Sequence, residues 1–367
     1  MKVVYFGSFD EQVSPRVRLL REGLCRHDVE VVECRASGSA LRRWSRLAAN
    51  LPSAARGADL LLVGKPGQRE LPLAWAAARL LQVPVALDLF ASLWLNEVVE
   101  RRRVAPESLE ARKLRALDRF ALCRPDLCLV DTKTHGALMA ATLLPGRRVA
   151  PQARVFVGAE ACFAPEPRVR HEGPQEALFV GTFIPFHGIE VILEAAARLR
   201  RETRLRFTLL GDGQERARME QLAASLALDN VRFESPIPYR ELPERLRRAD
   251  FALGTFGASP TAQAVIPKKV FAALACGVPV VTGDGAGPRE ALDDATAYLC
   301  APGDPAALAA TLRRALDDGP RRREVAARGR ALHEQRFTAR ATGAECVAAL
   351  ERLVKPVARR SRVEVAS

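Results

Sequence analysis

Short apolar runs alternate with helical stretches along the whole 367-residue chain. In the first half, "KVVYFG", "VEVVEC", "ADLLLVG", "VPVALDLF", "PDLCLVDT" and "ARVFVG" read as strands. Between them "SPRVRLLREGLCRH", "LPLAWAAARLLQ" and "LEARKLRALDRFALCR" have helical spacing. Uninterrupted apolar strands separated by helices predict a parallel sheet covered on both faces. "CFAPEPRVRHEGPQE" (162–176) is Pro-rich and charged, as a linker would be. The pattern then restarts: "ALFVG", "RFTLLG", "VRFES", "DFALGTF" and "VPVVTGD" each lead into a helical stretch.

Two successive units of this kind predict an α/β fold of two Rossmann-like, doubly wound parallel-sheet domains. Such domains face each other across a cleft, and ligands lie at the carboxyl ends of the strands. The expected division is 1–165, 166–340, and a C-terminal helix and tail over 341–367 that packs back on the first domain. Within that tail "KPVARRSRVEVAS" looks ragged.

Composition narrows the setting. No run approaches about 18 apolar residues, so no span crosses a membrane, and "MKVVYFGSFDEQ" is too short in apolar residues for a signal peptide. Eight scattered cysteines show no zinc spacing and read as reduced, mostly buried thiols, which places the protein in the cytoplasm. The net charge of +13 asks for a partner. Arg42, Arg43 and Arg46 beside Trp44 and Leu47 suit peripheral contact with an anionic membrane surface, or an ordinary solvated helix face. Nucleic acid is not expected, since aromatic residues make up only 6% and no recognition motif occurs.

Three stretches carry candidate chemistry. In "VGTFIPFHGIEVILEAA" (180–196), Gly181 and Thr182 end a strand, and His187 and Gly188 precede a helix start at Ile189. Helix N-termini present unpaired N–H groups and welcome an anion; His187 either adds to that site or caps a turn. In "LGTFGASPTAQAVIPKKVFAALACGVPVVTGD" (253–284), Pro267 reads as the first helical residue, with Lys268 and Lys269 in the first turn. Lysines there oppose the helix dipole unless something negative binds, so a phosphate on the amides and Lys269 would remove a local conflict. Gly257 lies in the small-residue loop just upstream. Third, "GDGAGPRE" (283–290) is a Gly-rich turn from which Glu290 can reach a hydroxyl. Gly211 belongs to another tight strand-to-helix turn that structure alone can explain.

These pieces resemble the donor domain of retaining bacterial glycosyltransferases of the GT-B fold, the large family numbered four. The likeness rests on "LFVGTFIPFHGIEVILEAA", "LLGDG", "VRFESPIPYRELPERLRRADFALGTFG", "IPKKVFAALACGVPVVTGD" and "PREALDD". Weaker likeness covers the first half, where "KVVYFGSFD" matches the family's first strand and glycine loop at Gly7, and "VFVGAEACFAPEP" its crossover. The resemblance implies retaining transfer of a sugar from a nucleoside-diphosphate sugar, with no further cofactor and no metal; the chain has no Asp-x-Asp pair. It places the diphosphate across the Gly181–Gly188 loop and the helix after Pro267, the base near Pro236 to Tyr239 with Pro238 in that turn, and the sugar near Gly254 to Pro260. His187 and Lys269 would then stabilise the leaving diphosphate. The acceptor, a glycan or lipid-linked precursor at the inner membrane face, would meet the first domain, where Asp88 is the candidate orienting group or base.

The chain departs from the family where Thr182 and His187 replace a basic pair and where two glutamates become Ala264 and Ala272. Glu290, Thr261 and Gln263 are the substitutes at hand. Two alternatives therefore stand beside transfer: a non-catalytic partner subunit, and a nucleotide-sugar epimerase on the same fold.

Overall fold

The apolar runs of the first half are strands, because a chain segment without polar alternation is buried only where both sheet faces are covered; "ARVFVG" is the exception, where only Gln152–Arg154 is strand and the apolar residues 155–157 follow it. The computed structural model describes residues 1–9, 14–166 and 173–364, with side chains of the last helix through residue 354. The first unit runs β1 (Lys2–Gly7), α1 (Pro15–Cys25), β2 (Glu30–Arg35), α2 (Ala40–Ala54), β3 (Leu60–Val63), α3 (Leu71–Leu81) and β4 (Val85–Asp88). It continues with α4 (Leu109–Cys123), β5 (Leu127–Val130), α5 (Lys133–Leu143) and β6 (Gln152–Arg154). All pairings are parallel, in the order β2-β1-β3-β4-β5-β6.

The second unit runs β7 (Gln175–Val180), α6 (Ile189–Arg198), β8 (Leu205–Leu210), α7 (Arg216–Ser225), β9 (Val231–Glu234), α8 (Leu242–Arg248) and β10 (Phe251–Leu253). Then come α9 (Pro260–Ala264), α10 (Lys268–Ala275), β11 (Val280–Gly283), β12 (Tyr298–Cys300), α11 (Pro305–Asp317) and α12 (Gly319–Arg336). Its sheet is also parallel, ordered β12-β11-β10-β7-β8-β9. Each sheet is sandwiched by apolar clusters, among them Phe179, Phe207, Phe251 and Phe256 in the second unit and Val4, Leu61, Leu87 and Val130 in the first.

The chain divides at Val157/Gly158 rather than near residue 165. The reason is local bonding: Ala159 N donates to Phe337 O at 3.0 Å, Tyr239 Oη donates to Glu160 at 2.5 Å, and Arg247 donates to the Ala164 carbonyl. Part of the stretch read as a linker, 167–172, lies outside the described residues. The last helix, α13 (Ala339–Glu364), belongs to the first unit. It extends through most of the segment that reads as a ragged tail; 365–367 lie outside the described residues. Gly23 of α1 and Gly343 of α13 let the two backbones touch, since a Cβ on Gly23 would lie 2.7 Å from the Gly343 Cα.

Candidate functional site

In the second sheet the chain reverses its direction of travel between β7 and β10. That reversal opens a crevice at the carboxyl ends of those two strands, where ligands of open α/β sheets lie. The loop leaving β7 passes Gly181 and Thr182, makes a 3-10 turn over Pro185–His187 and enters α6 through Gly188. Gly188 sits in the left-handed region (φ 65°, ψ 42°), and a Cβ there would stand 2.5 Å from the Gly257 amide nitrogen. Only glycine satisfies both demands. The loop after β10 is thereby locked against the loop after β7, with Phe256 N donating to His187 O at 3.0 Å.

Lys269 completes the cluster. Pro267 turns out to be the cap of α10 rather than its first residue, its ψ of 147° being extended, so Lys268 and Lys269 occupy the first two helical positions. The Lys269 ammonium is buried without a hydrogen-bond partner and lies 3.5 Å from the centroid of the Phe179 ring. A Cβ on Gly181 would meet Lys269 Nζ at 2.9 Å and His187 Cε1 at 3.5 Å, so Gly181, His187 and Lys269 converge. Desolvation by burial pulls the Lys269 ammonium well below its ordinary range, with no carboxylate to offset it. The start of a helix adds to the penalty, and the ring face returns about 0.5–2 kcal/mol of it. His187 Nδ1 lies 2.6 Å from the Thr182 carbonyl. A carbonyl only accepts, so Nδ1 carries the proton and Nε2 donates to an anion only when the ring is charged.

The other predicted residues take plainer places. Gly211 sits behind the cluster: a Cβ on it would fall 1.9 Å from the Gly181 carbonyl, so it supports the loop by close packing. Gly257 abuts the Phe186 carbonyl in the same manner. Lys268 is half-buried, and Pro238 is exposed at the turn whose Tyr239 bonds to Glu160. Glu290 closes a 3-10 turn (Pro288–Glu290) whose preceding loop packs on residues 263–265; a Cβ on Gly287 would lie 2.1 Å from Ala264 O.

Gly7 and Asp88 belong to the first unit. Gly7 ends β1 against Gly64. Asp88 is not available as a base in this arrangement, because Arg16 Nε reaches its two oxygens at 2.9 and 3.0 Å and Arg16 Nη2 donates at 2.7 Å. Both side chains have 0% exposure. The expected orienting role gives way to a structural ion pair.

Three features escaped the sequence reading. Phe179, an unremarkable strand residue, is the surface on which Lys269 lies. Arg216 pins the loops from α7, with Nη1 donating to Gly211 O at 2.6 Å and Glu234 O at 3.0 Å and the guanidinium between Phe183 and Phe233. Asp131 and His135, four apart at a helix start, form a buried pair at 2.7 Å. Among the described residues no His, Cys, Asp and Glu group could hold a metal ion, and no helix is long and apolar enough to cross a membrane.

The family model for glycosyl transferases group 1 matches residues 164–332, which is nearly the whole second unit. The second unit is a group 1 glycosyl transferase domain. Curated relatives include a D-inositol 3-phosphate glycosyltransferase of Geodermatophilus obscurus, 32% identical over 217 residues, or 56% of this chain and 43% of that protein. A 2-deoxystreptamine glucosyltransferase of Streptomyces kanamyceticus is 29% identical over 71% of this chain and 69% of its own length. The chain thus spans less than half of the first relative. Among solved structures, HepE of Anabaena in complex with UDP and glucose superposes with TM-score 0.70 at 16% identity, covering 96% of this chain and 100% of that one. Sucrose-phosphate synthase of Thermosynechococcus elongatus gives 0.73 at 16% identity over 97% and 99%. These likenesses make the fold GT-B, and every residue placed at the crevice of the glycosyl transferase domain falls inside the matched segment.

Proposed function

We propose that this protein transfers a sugar from a nucleoside-diphosphate sugar to a hydroxyl acceptor, with retention of configuration. One observation carries the reading: an ammonium buried without a partner at a helix start, facing the glycine loop of a group 1 glycosyl transferase domain. A bound diphosphate reverses both penalties on Lys269, and the same charge stabilises the diphosphate as it leaves. In this reading Lys269, the α10 amides and a protonated His187 supply the positive charge, and the transfer runs without a metal. The bound UDP of the Anabaena HepE structure supports a nucleotide donor. Inositol phosphate, aminocyclitol and glucan enzymes among the relatives support a polyol acceptor.

The first unit takes the acceptor. Its helix α2 turns Leu41, 82% exposed, and Trp44 outward beside Arg42 and Arg46. That composition favours a peripheral membrane contact and a lipid-linked acceptor. Thermal shift and calorimetry with UDP, GDP and their glucose and mannose conjugates test the donor reading. Saturation with a bound nucleotide at 100 times Kd adds about 2.7 kcal/mol of stability. No stabilisation by any nucleoside diphosphate would sink it.

Ala264 and Ala272 favour a second reading, a domain that binds nucleotide without turning it over. Incubation with a donor and analysis of released nucleotide and sugar anomer separates that reading, and the epimerase, from transfer.

A further inference from the structure

The first unit carries a buried polar cluster that the donor reading leaves unused. Asp131 leaves the carboxyl end of β5, Thr132 caps α5 by accepting the His135 N–H at 3.0 Å, and His135 turns back so that Nδ1 lies 2.7 Å from Asp131 Oδ1. Asp131 is 2% exposed and His135 3%. Arg16 of α1 is bonded to Asp88 of β4 and also acts electrostatically on Asp131, and Lys133 opens α5 two residues further on.

The carboxylate fixes the tautomer: the proton stays on Nδ1 and the lone pair points out at Nε2. Among the described residues no hydrogen bond reaches that nitrogen. A histidine serving only to fill the core has no need of a buried carboxylate that sets its tautomer and leaves the acceptor nitrogen unbonded. We propose that Asp131 and His135 form a hydroxyl-recognition site, in which His135 Nε2 accepts the O–H of a sugar or polyol acceptor. The proposal rests on the glycosyl-transfer reading.

The test uses the full chain with UDP-glucose and GDP-mannose as donors, myo-inositol, glucose and glycerol as acceptors, and water as the default acceptor through donor hydrolysis. His135→Phe leaves the buried Asp131 carboxylate without its ring N–H donor and is expected to lower thermal stability, yet to keep nucleotide affinity while acceptor KM rises about tenfold, the loss of one hydrogen bond. Should His135→Phe fail to fold, His135→Asn, which keeps a side-chain donor for Asp131, serves as the second variant. Unchanged acceptor KM in His135→Phe overturns the proposal. So does a nitrogen-15 spectrum that puts the neutral proton on Nε2. Failure of the wild type to bind any nucleoside diphosphate counts against the transfer reading instead, and the imidazole spectrum then decides the tautomer and its response to the polyols by itself.

Discussion

Each unit buries a cation near the carboxyl edge of its sheet, and the two are treated in opposite ways. Arg16 is held by both oxygens of Asp88 and by the Val155 carbonyl. Among the described residues Lys269 has an aromatic face and no hydrogen-bond partner. A buried charge without a partner costs several kcal/mol unless it neutralises itself. The fold accepts that cost at Lys269 and avoids it at Arg16. The paired cation holds the first unit together; in the proposed function the unpaired one is kept for a diphosphate.

The largest effect expected comes from breaking the pair. Asp88→Ala strands Arg16 in the core and lowers the stability of the first unit by about 3–5 kcal/mol, read by urea denaturation. Lys269→Met replaces a desolvated amine with an apolar chain of similar length and leaves stability equal or higher. Equal losses in the two variants would erase the contrast.

Next in size is nucleotide affinity. A charge-assisted hydrogen bond contributes about 1.5–3 kcal/mol, so Lys269→Met weakens UDP binding by roughly 10- to 100-fold in calorimetry. Asp88→Asn, assayed where it remains folded, leaves UDP affinity alone.

The comparison also has a pH signature. Desolvation depresses the Lys269 amine in the empty site, while an adjacent diphosphate favours the ammonium and raises it again. Between the depressed value and the ordinary one near 10.5, binding takes up a proton. Affinity therefore falls as pH rises through that window, by up to about tenfold per unit. Calorimetry in buffers of different ionisation heat reads the uptake directly, and in Lys269→Met the uptake disappears. Arg16 is paired in every state and contributes no such slope.

How far the residues announced all this depends on whether the physics is local. The two parallel sheets were legible because strands such as "ALFVG" and "VPVV" are apolar without interruption. The place of Lys269 was legible because a proline cap, two lysines and a helix start conflict within four residues. Its partner ring was not, since Phe179 looks like any core position. Asp88 read as an acceptor-orienting group or base because the arginine that occupies it lies 72 residues away. Asp131 read only as part of the strand "PDLCLVDT", and nothing in that run pointed to His135 four residues on. The three residues of β12 were too few to show a period, and the arginines near the end of α13 read as a tail although they continue a helix packed on α1.

The smallest effect concerns the other member of the crevice. His187 spends Nδ1 on the Thr182 carbonyl and packs its ring against Phe179 and Phe186, with centroids at 5.5 and 5.2 Å. A second proton must arrive before Nε2 can donate to a phosphate. His187→Asn is therefore expected to cost roughly threefold in UDP affinity near neutral pH, below the worth of a full charge-assisted bond, and more as the solution is acidified. This acid-side dependence persists in Lys269→Met, which separates it from the proton uptake of the lysine. A His187 variant that loses as much as Lys269→Met at pH 8 would mean that the loop histidine, and not the buried lysine, is the principal cation of the site.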